Sequence, residues 1–343
     1  MPNNTVAADN LFQTNVLLWA LLPQPKGSRI VPVLRETGHE LVRIECPLRA
    51  GLVERAELAK LTVQISQNPA VDLLLVQRNK RYVLVECKSG SFGIATDQAE
   101  QARGMLVAAL RLSSRISLPA DTVAELCYVV PMEETSALDV TLVNLAQTIA
   151  SLGFGTCPTG ALGISIKEDG VYLGLSAPLS GTGECQARLT PEQKVISLSP
   201  GEDPRPLYIL PWMPKANNAL DLQAFREQLR QQLLVWVGRV RVNTTTVLDY
   251  EDLLNRMTRN VFKDWGDRSS LNGEVYPVIE KWIAVLVGGD SRIIIRRSSM
   301  EVAIRSQEDR EQLQEGIRSA SLPAPAPEGE QLPLQMHNES SNT

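Results

Sequence analysis

The sequence predicts a mixed α/β layer in its N-terminal half, followed by a mainly helical unit. Between Arg29 and Leu175, short β-branched or alternating apolar runs are interleaved with stretches of helical spacing, as in a sheet covered by helices. Beyond Arg205 helical spacing dominates, and one strand pair closes the pattern. A chain of 343 residues exceeds one average domain and suits two.

The elements follow in order. Asn10 to Leu22 has helical apolar spacing, ended by Pro23, Pro25 and Gly27. RIVPVLRE and HELVRIECPL predict a β-hairpin about Thr37-Gly38, and Gly51 to Leu61 a short amphipathic helix. VDLLLVQ and YVLVECK, joined by Arg78-Asn79-Lys80, are the clearest antiparallel pair. After SGSFG, the apolar positions Ala99, Ala102, Leu106, Ala109 and Leu110 predict a helix over Asp97 to Leu112. The strand ELCYVVPM, a helix from Ala137 to Leu152, and the strands ALGISI and VYLGL about a KEDG turn complete a domain over residues 1–176.

Residues 177–205, rich in Gly, Pro, Ser and Thr, read as a linker. In the second domain, residues 206–319, helical spacing runs over Leu220 to Trp236, Asp249 to Phe262 and Val275 to Val287. RIIIRR and MEVAIR then pair about Ser298-Ser299, so helices followed by a hairpin predict a winged-helix-like unit. The Pro-, Glu- and Ser-rich text of residues 320–343 predicts a disordered tail. Tryptophans 212, 236, 265 and 282 sit among apolar neighbours and read as core anchors.

Composition narrows the chemistry. A net charge of -5 gives no global positive field, so any nucleic-acid contact must use local basic patches. Five scattered cysteines without a CxxC pair imply reduced thiols and a cytoplasmic protein. The apolar run Val16 to Leu22 is too short to cross a bilayer, and no basic segment of a signal peptide precedes it. With only His39 and His337, Ser-His-Asp hydrolysis and His-ligated zinc lose their basis. No glycine run is followed by the GK[ST] of a phosphate loop.

One constellation carries chemistry. Asp72 opens one strand of the clear hairpin; Glu86 and Lys88 lie two residues apart on the other and share a face. With the turn near Asn79, paired residue numbers sum to about 158, which sets Asp72 opposite Glu86. Two carboxylates and an ammonium then converge. Such carboxylates suit Mg²⁺, with Mn²⁺ able to substitute, and a phosphodiester would complete the shell. Lys88 would orient the attacking water or offset transition-state charge.

An acid followed by E-x-K on the adjacent strand resembles the PD-(D/E)XK nuclease superfamily, here as Asp72 and Glu86-Cys87-Lys88, with the likeness spanning roughly residues 8 to 176. The resemblance implies a restriction-endonuclease-like core and a Mg²⁺-dependent DNA endonuclease, with Asp72 and Glu86 holding the metal. It also implies a polar residue on the following helix, Gln98 ahead of Gln101, and an upstream helical acid, for which Glu54, Glu57 and Glu36 are candidates in that order. The name-giving Pro-Asp pair is absent, since Pro69 stands three residues before Asp72.

Two plainer accounts stand beside this one. Asp72, Glu86 and Lys88 can be a solvated face with cross-strand ion pairs, each contributing under about 1 kcal/mol; against this, YVLVECK otherwise reads as a buried strand. Arg292, Arg296, Arg297 and Arg305 can touch phosphates as a wing does, or protect an exposed edge strand. The rival functions are an inactive nuclease-fold scaffold and a DNA-binding or protein-interaction module.

Overall fold

The computed structural model describes residues 6–77, 81–119, 122–175, 192–212 and 219–321. The first helix, α1 (Asn10–Leu21), is capped by Asp9, whose carboxylate accepts the Phe12 amide at 2.8 Å. Every residue from Leu11 to Leu21 is buried, so α1 is the helix around which the rest is wrapped.

Seven strands form one sheet in sequence order: β1 (His39–Pro47), β2 (Ala70–Gln77), β3 (Arg81–Cys87), β4 (Val123–Pro131), β5 (Thr159–Lys167), β6 (Gly170–Leu175) and β7 (Gln193–Ser197). The β3–β4 and β4–β5 pairs are parallel and the others antiparallel, giving the expected mixed sheet. The parallel crossovers hold α3 (Asp97–Leu110) and α4 (Thr135–Ser151), while the short α2 (Leu52–Leu58) follows β1. Side chains of β2 to β4 alternate between two cores. Leu73, Val85, Cys87 and Val129 face α1, whereas Leu74, Leu84, Leu126 and Tyr128 face α3 and α4.

Both sheet edges are covered. Along β7, Val31 donates its amide to Val195 at 2.8 Å, and the Ser197 amide donates to Arg29. Along β1, Ile44 bridges Trp265, and the Gly266 amide reaches the Ile44 carbonyl at 2.7 Å. A Cβ on Gly266 would meet the Glu45 carbonyl oxygen at 2.8 Å, so glycine permits this approach.

Two expectations are corrected. The hairpin about Thr37-Gly38 does not form, because Pro32 starts a helical turn over Val33–Glu36 and only His39–Pro47 extends. The supposed linker 177–205 contains β7, whose Val195 and Ile196 are buried; residues 177–191 of it lie outside the described residues. So do the Arg78-Asn79-Lys80 turn and the tail from residue 322.

The C-terminal part comprises α5 (Ala219–Arg239), β8 (Thr244–Asp249), α6 (Tyr250–Met257), α7 (Tyr276–Val287), β9 (Ile293–Ile295), β10 (Ser299–Ile304) and α8 (Gln307–Ser319). Its small sheet has the order β8-β10-β9. Strand β8 and the polar helix α8 escape the apolar pattern because their outer faces are solvated. Trp236, Trp265 and Trp282 are buried, as expected.

The hydrophobic core does not divide at the expected boundary, for α1, the inner sheet face and the C-terminal helices share one cluster. Asn15 couples them. Its Oδ1 accepts the Ile209 and Leu210 amides at 2.8 and 2.9 Å, and its Nδ2 donates to the Leu11 and Leu210 carbonyls. Trp19 Nε1 adds a bond to the Leu207 carbonyl at 3.0 Å. Asn15→Leu therefore orphans the Ile209 and Leu210 backbone groups that join the two halves, and is expected to cost at least about 2 kcal/mol. Calorimetry should show one transition displaced downward; two separated transitions, with one unmoved, would contradict the shared core.

Candidate active site

Strand β3 is buried on both faces, yet its end carries charge. The β2–β3 register pairs Leu73 with Val85 and Leu74 with Leu84, and continuing it sets Asp72 opposite Glu86. Asp72 and Glu86 are only 8% and 7% exposed. Asp72 Oδ2 accepts the Cys87 amide at 2.6 Å, and Lys88 Nζ lies 2.9 Å from Glu86 Oε1. The three side chains predicted to meet are thus brought together at the end of the hairpin.

The surroundings are apolar beneath and polar at the rim. Tyr128, opposite Glu86 on β4, is fully buried with its ring 5.5 Å from that of Phe92. Burial, then the charges of Glu86 and Asp72, push its phenol well above the usual range, so it stays neutral. Beyond Lys88, the Ser91 amide and hydroxyl both donate to Glu134 Oε2, at 3.2 and 2.5 Å. These bonds hold the Glu134 carboxyl below its usual value and pin the loop after Lys88 to the end of β4.

Cys87 points to the opposite face, as expected, with its Sγ 3.7 Å from Thr14 Oγ1. Burial and the neighbouring Asp72 charge push its thiol well up, which leaves it unreactive packing.

Lys88 shows how the site balances. Burial alone would lower its pKa; the charge and hydrogen bond of Glu86, with Asp72 behind it, outweigh burial and raise it above 10.5. Lys88 is therefore an ammonium at neutral pH. It can donate hydrogen bonds and offset negative charge, but it cannot accept a proton.

Other expected residues are elsewhere. Gln98 and Gln101 lie on the exposed face of α3, and Gln98 makes no hydrogen bond to the three. Glu54 is bound by Arg115 at 2.6 Å and Arg111 at 3.7 Å, Glu57 is bound by Arg111 at 2.8 Å, and Glu36 is exposed ahead of β1. None of them supplies an upstream acid to Asp72 and Glu86. The helical residue at this strand is instead Gln13 of α1, whose Nε2 donates to the Lys88 carbonyl at 2.9 Å. Its signal was available: Gln13-Thr14-Asn15 is a polar run inside an otherwise apolar helix.

The four arginines do not form one patch. Arg292 is held by Asp290 at 2.6 Å and Arg296 by Glu301 at 2.9 Å. Arg297 is exposed in the bend before β10 and Arg305 just past its far end, so the six-residue strand separates them.

Among the described residues, no three His, Cys, Asp or Glu side chains gather as a metal-binding group, and no helix is long and apolar enough to cross a membrane. Two carboxylates on one face nevertheless suit a hard divalent cation whose remaining ligands are water, amide or phosphate oxygens. Neither a protein-family model, nor a curated protein, nor a solved structure matches this chain.

Two outcomes follow for Asp72 and Lys88. Asp72→Asn keeps an oxygen for the Cys87 amide and should fold normally, whereas Asp72→Ala strands that buried amide at about 1–3 kcal/mol, measurable by urea unfolding. Because the folded pKa of Lys88 is raised, its stabilisation is complete below pH 10.5 and is lost as pH climbs through the raised value. Lys88→Met should flatten that alkaline limb of the stability curve; an unchanged limb would refute the assignment.

Proposed function

We propose that this protein is a metal-dependent nuclease with a PD-(D/E)XK-type, restriction-endonuclease-like core, hydrolysing phosphodiester bonds in DNA. The observation that carries the reading is the meeting of Asp72 on β2 with Glu86 and Lys88 at the end of β3, next to the buried run Val83–Val85. A charged trio gathered at such a buried place is costly unless it has a task. The mixed sheet supports the same reading, with its antiparallel hairpin, parallel crossovers through α3 and α4, and α1 against the other face.

In this scheme Asp72 and Glu86 hold Mg²⁺, or Mn²⁺ in its place. The bound ion would polarise the scissile phosphate and lower the pKa of a ligated water. The Cys87 amide fixes the Asp72 carboxylate before substrate arrives. Glu86 holds Lys88 protonated, and on phosphate binding the ammonium can swing towards the negative charge that grows on the phosphoryl oxygens. Tyr128 and Phe92 close the floor against water.

The C-terminal part is assigned a winged-helix arrangement, supported by the order helix, strand, helix, helix, hairpin and by the β8-β10-β9 sheet. With Arg292 and Arg296 spent on internal acids, its contribution to DNA contact falls to Arg297 and Arg305. One observation favours the second reading, a nuclease-fold scaffold without catalysis: the Lys88 ammonium is already bound to Glu86.

Incubation of the purified protein with supercoiled, linear and single-stranded DNA decides between the two readings. Cleavage is expected with Mg²⁺ or Mn²⁺, abolished by EDTA and by Lys88→Ala. Intact DNA under every metal condition would leave the scaffold.

A further inference from the structure

Strand β1 is bent where it faces Asp72. Its ladder with β2 pairs Ile44 with Leu73 and Cys46 with Val71, so Glu45 stands opposite Asp72 on the rung between them. Glu45 has a φ of 47°, the left-handed region that a residue with a side chain rarely enters in mid-strand. Residues two apart on a regular strand share a face. Here they do not: Ile44 and Leu73 lie in the core against α1, whereas Cys46 and Val71 lie in the core against α3 and α4. Both strands therefore turn over at one rung, and that rung carries Asp72.

The bend is held from the C-terminal half. Trp265 bridges Ile44, and the Gly266 amide donates to the Ile44 carbonyl at 2.7 Å. A Cβ on Gly266 would lie 2.8 Å from the Glu45 carbonyl oxygen and 2.9 Å from the Cys46 Cα, so the two segments meet backbone to backbone. This strap is itself fixed. Trp265 is buried with its ring 4.9 Å from that of Phe262, and its Nε1 donates to Ser270 Oγ at 3.1 Å. A left-handed residue inside a strand persists only where its surroundings impose it, and Trp265 and Gly266 are the surroundings on the outer edge of β1.

We infer that Gly266 and Glu45 are positioning residues for Asp72: the strap from the C-terminal half holds the Glu45 bend, and the bend turns the Asp72 rung so that its carboxylate meets the Cys87 amide. The 2.6 Å bond from that amide to Asp72 Oδ2 is the product of this placement. The C-terminal half thereby takes part in building the site without lending it a side chain. The task of Asp72 rests on the nuclease reading; its placement does not.

The test follows hydrogen exchange of the Cys87 amide by NMR in the full-length protein, with the Ile164 amide of β5 as the reference for the rest of the sheet. Asp72→Ala sets the rate with the bond gone. Gly266→Ala forces the strap off β1, and Glu45→Val puts a β-branched residue, the type least tolerant of this conformation, at the bend. Each is expected to speed Cys87 exchange about 10-fold or more while Ile164 keeps its protection. Glu45→Gly accepts the bend without strain and should exchange as the wild type does. Both Glu45 variants lack the carboxylate, so the contrast between them isolates the backbone. Mn²⁺ binding by calorimetry should weaken about 10-fold in Gly266→Ala and Glu45→Val and hold in Glu45→Gly. Unchanged Cys87 exchange in the first two variants, equal acceleration in both Glu45 variants, or loss of Ile164 protection together with that of Cys87 overturns the inference. Mn²⁺ binding that is equal in all forms despite the exchange contrast overturns the link from placement to the cation. Absence of Mn²⁺ binding by the wild type, with the exchange contrast intact, overturns the nuclease reading and leaves the placement of Asp72 by the strap standing.

Discussion

A helix buried on every side must find hydrogen-bond partners for the polar side chains it carries, and α1 carries three in succession. Gln13 reaches the carbonyl of Lys88, Thr14 meets the Cys87 sulfur, and Asn15 saturates its amide on Ile209 and Leu210. The first two attach the helix to the strand that holds the charged residues, and the third attaches it to the C-terminal half. The buried bonds of these three side chains therefore fix both the end of β3 and the join between the halves, because unmet hydrogen bonds in such a setting are costly. Apolar burial brings the helix inside; the polar run decides its register.

The same constraint acts on β3. Its centre, Val83 to Val85, is packed from both faces, and charge lies at its two ends, Arg81 at the start and Glu86 at the finish. At the finish, Asp72 of β2 is spent on a backbone amide and Glu86 on an ammonium, so neither carboxylate is left to desolvation alone. The arrangement is asymmetric. Asp72 is immobilised by backbone, whereas Lys88 is held by one side chain on a flexible stem.

Electrostatics also limits what the C-terminal part does. Its arginines look like a phosphate-binding wing in one dimension, but Arg292 folds back on Asp290 and is also close to Asp309. On α7 the exposed positions include Pro277, Lys281 and Ala284, a face poor in positive charge. Local charge pairing has consumed much of what proximity in sequence suggested.

The hairpin, its register and the convergence of Asp72, Glu86 and Lys88 were legible in the sequence because alternation along two adjacent strands is a short-range property. A residue count about the turn fixes which side chains face each other. Burial of α1 could also be read from its apolar text. Four things could not: the strand carbonyl that Gln13 meets, the cover supplied to the sheet edges by residues 29–31 and 265–266, the strand within the supposed linker, and the pairing of Glu54 with Arg115. Each depends on segments that are distant along the chain and meet only on folding, as Gln13 and Lys88 do across 75 positions. Local pattern determined the charged hairpin; packing of remote segments decided which polar groups serve it and which are already satisfied elsewhere, since hydrogen bonds and ion pairs act only between atoms in contact.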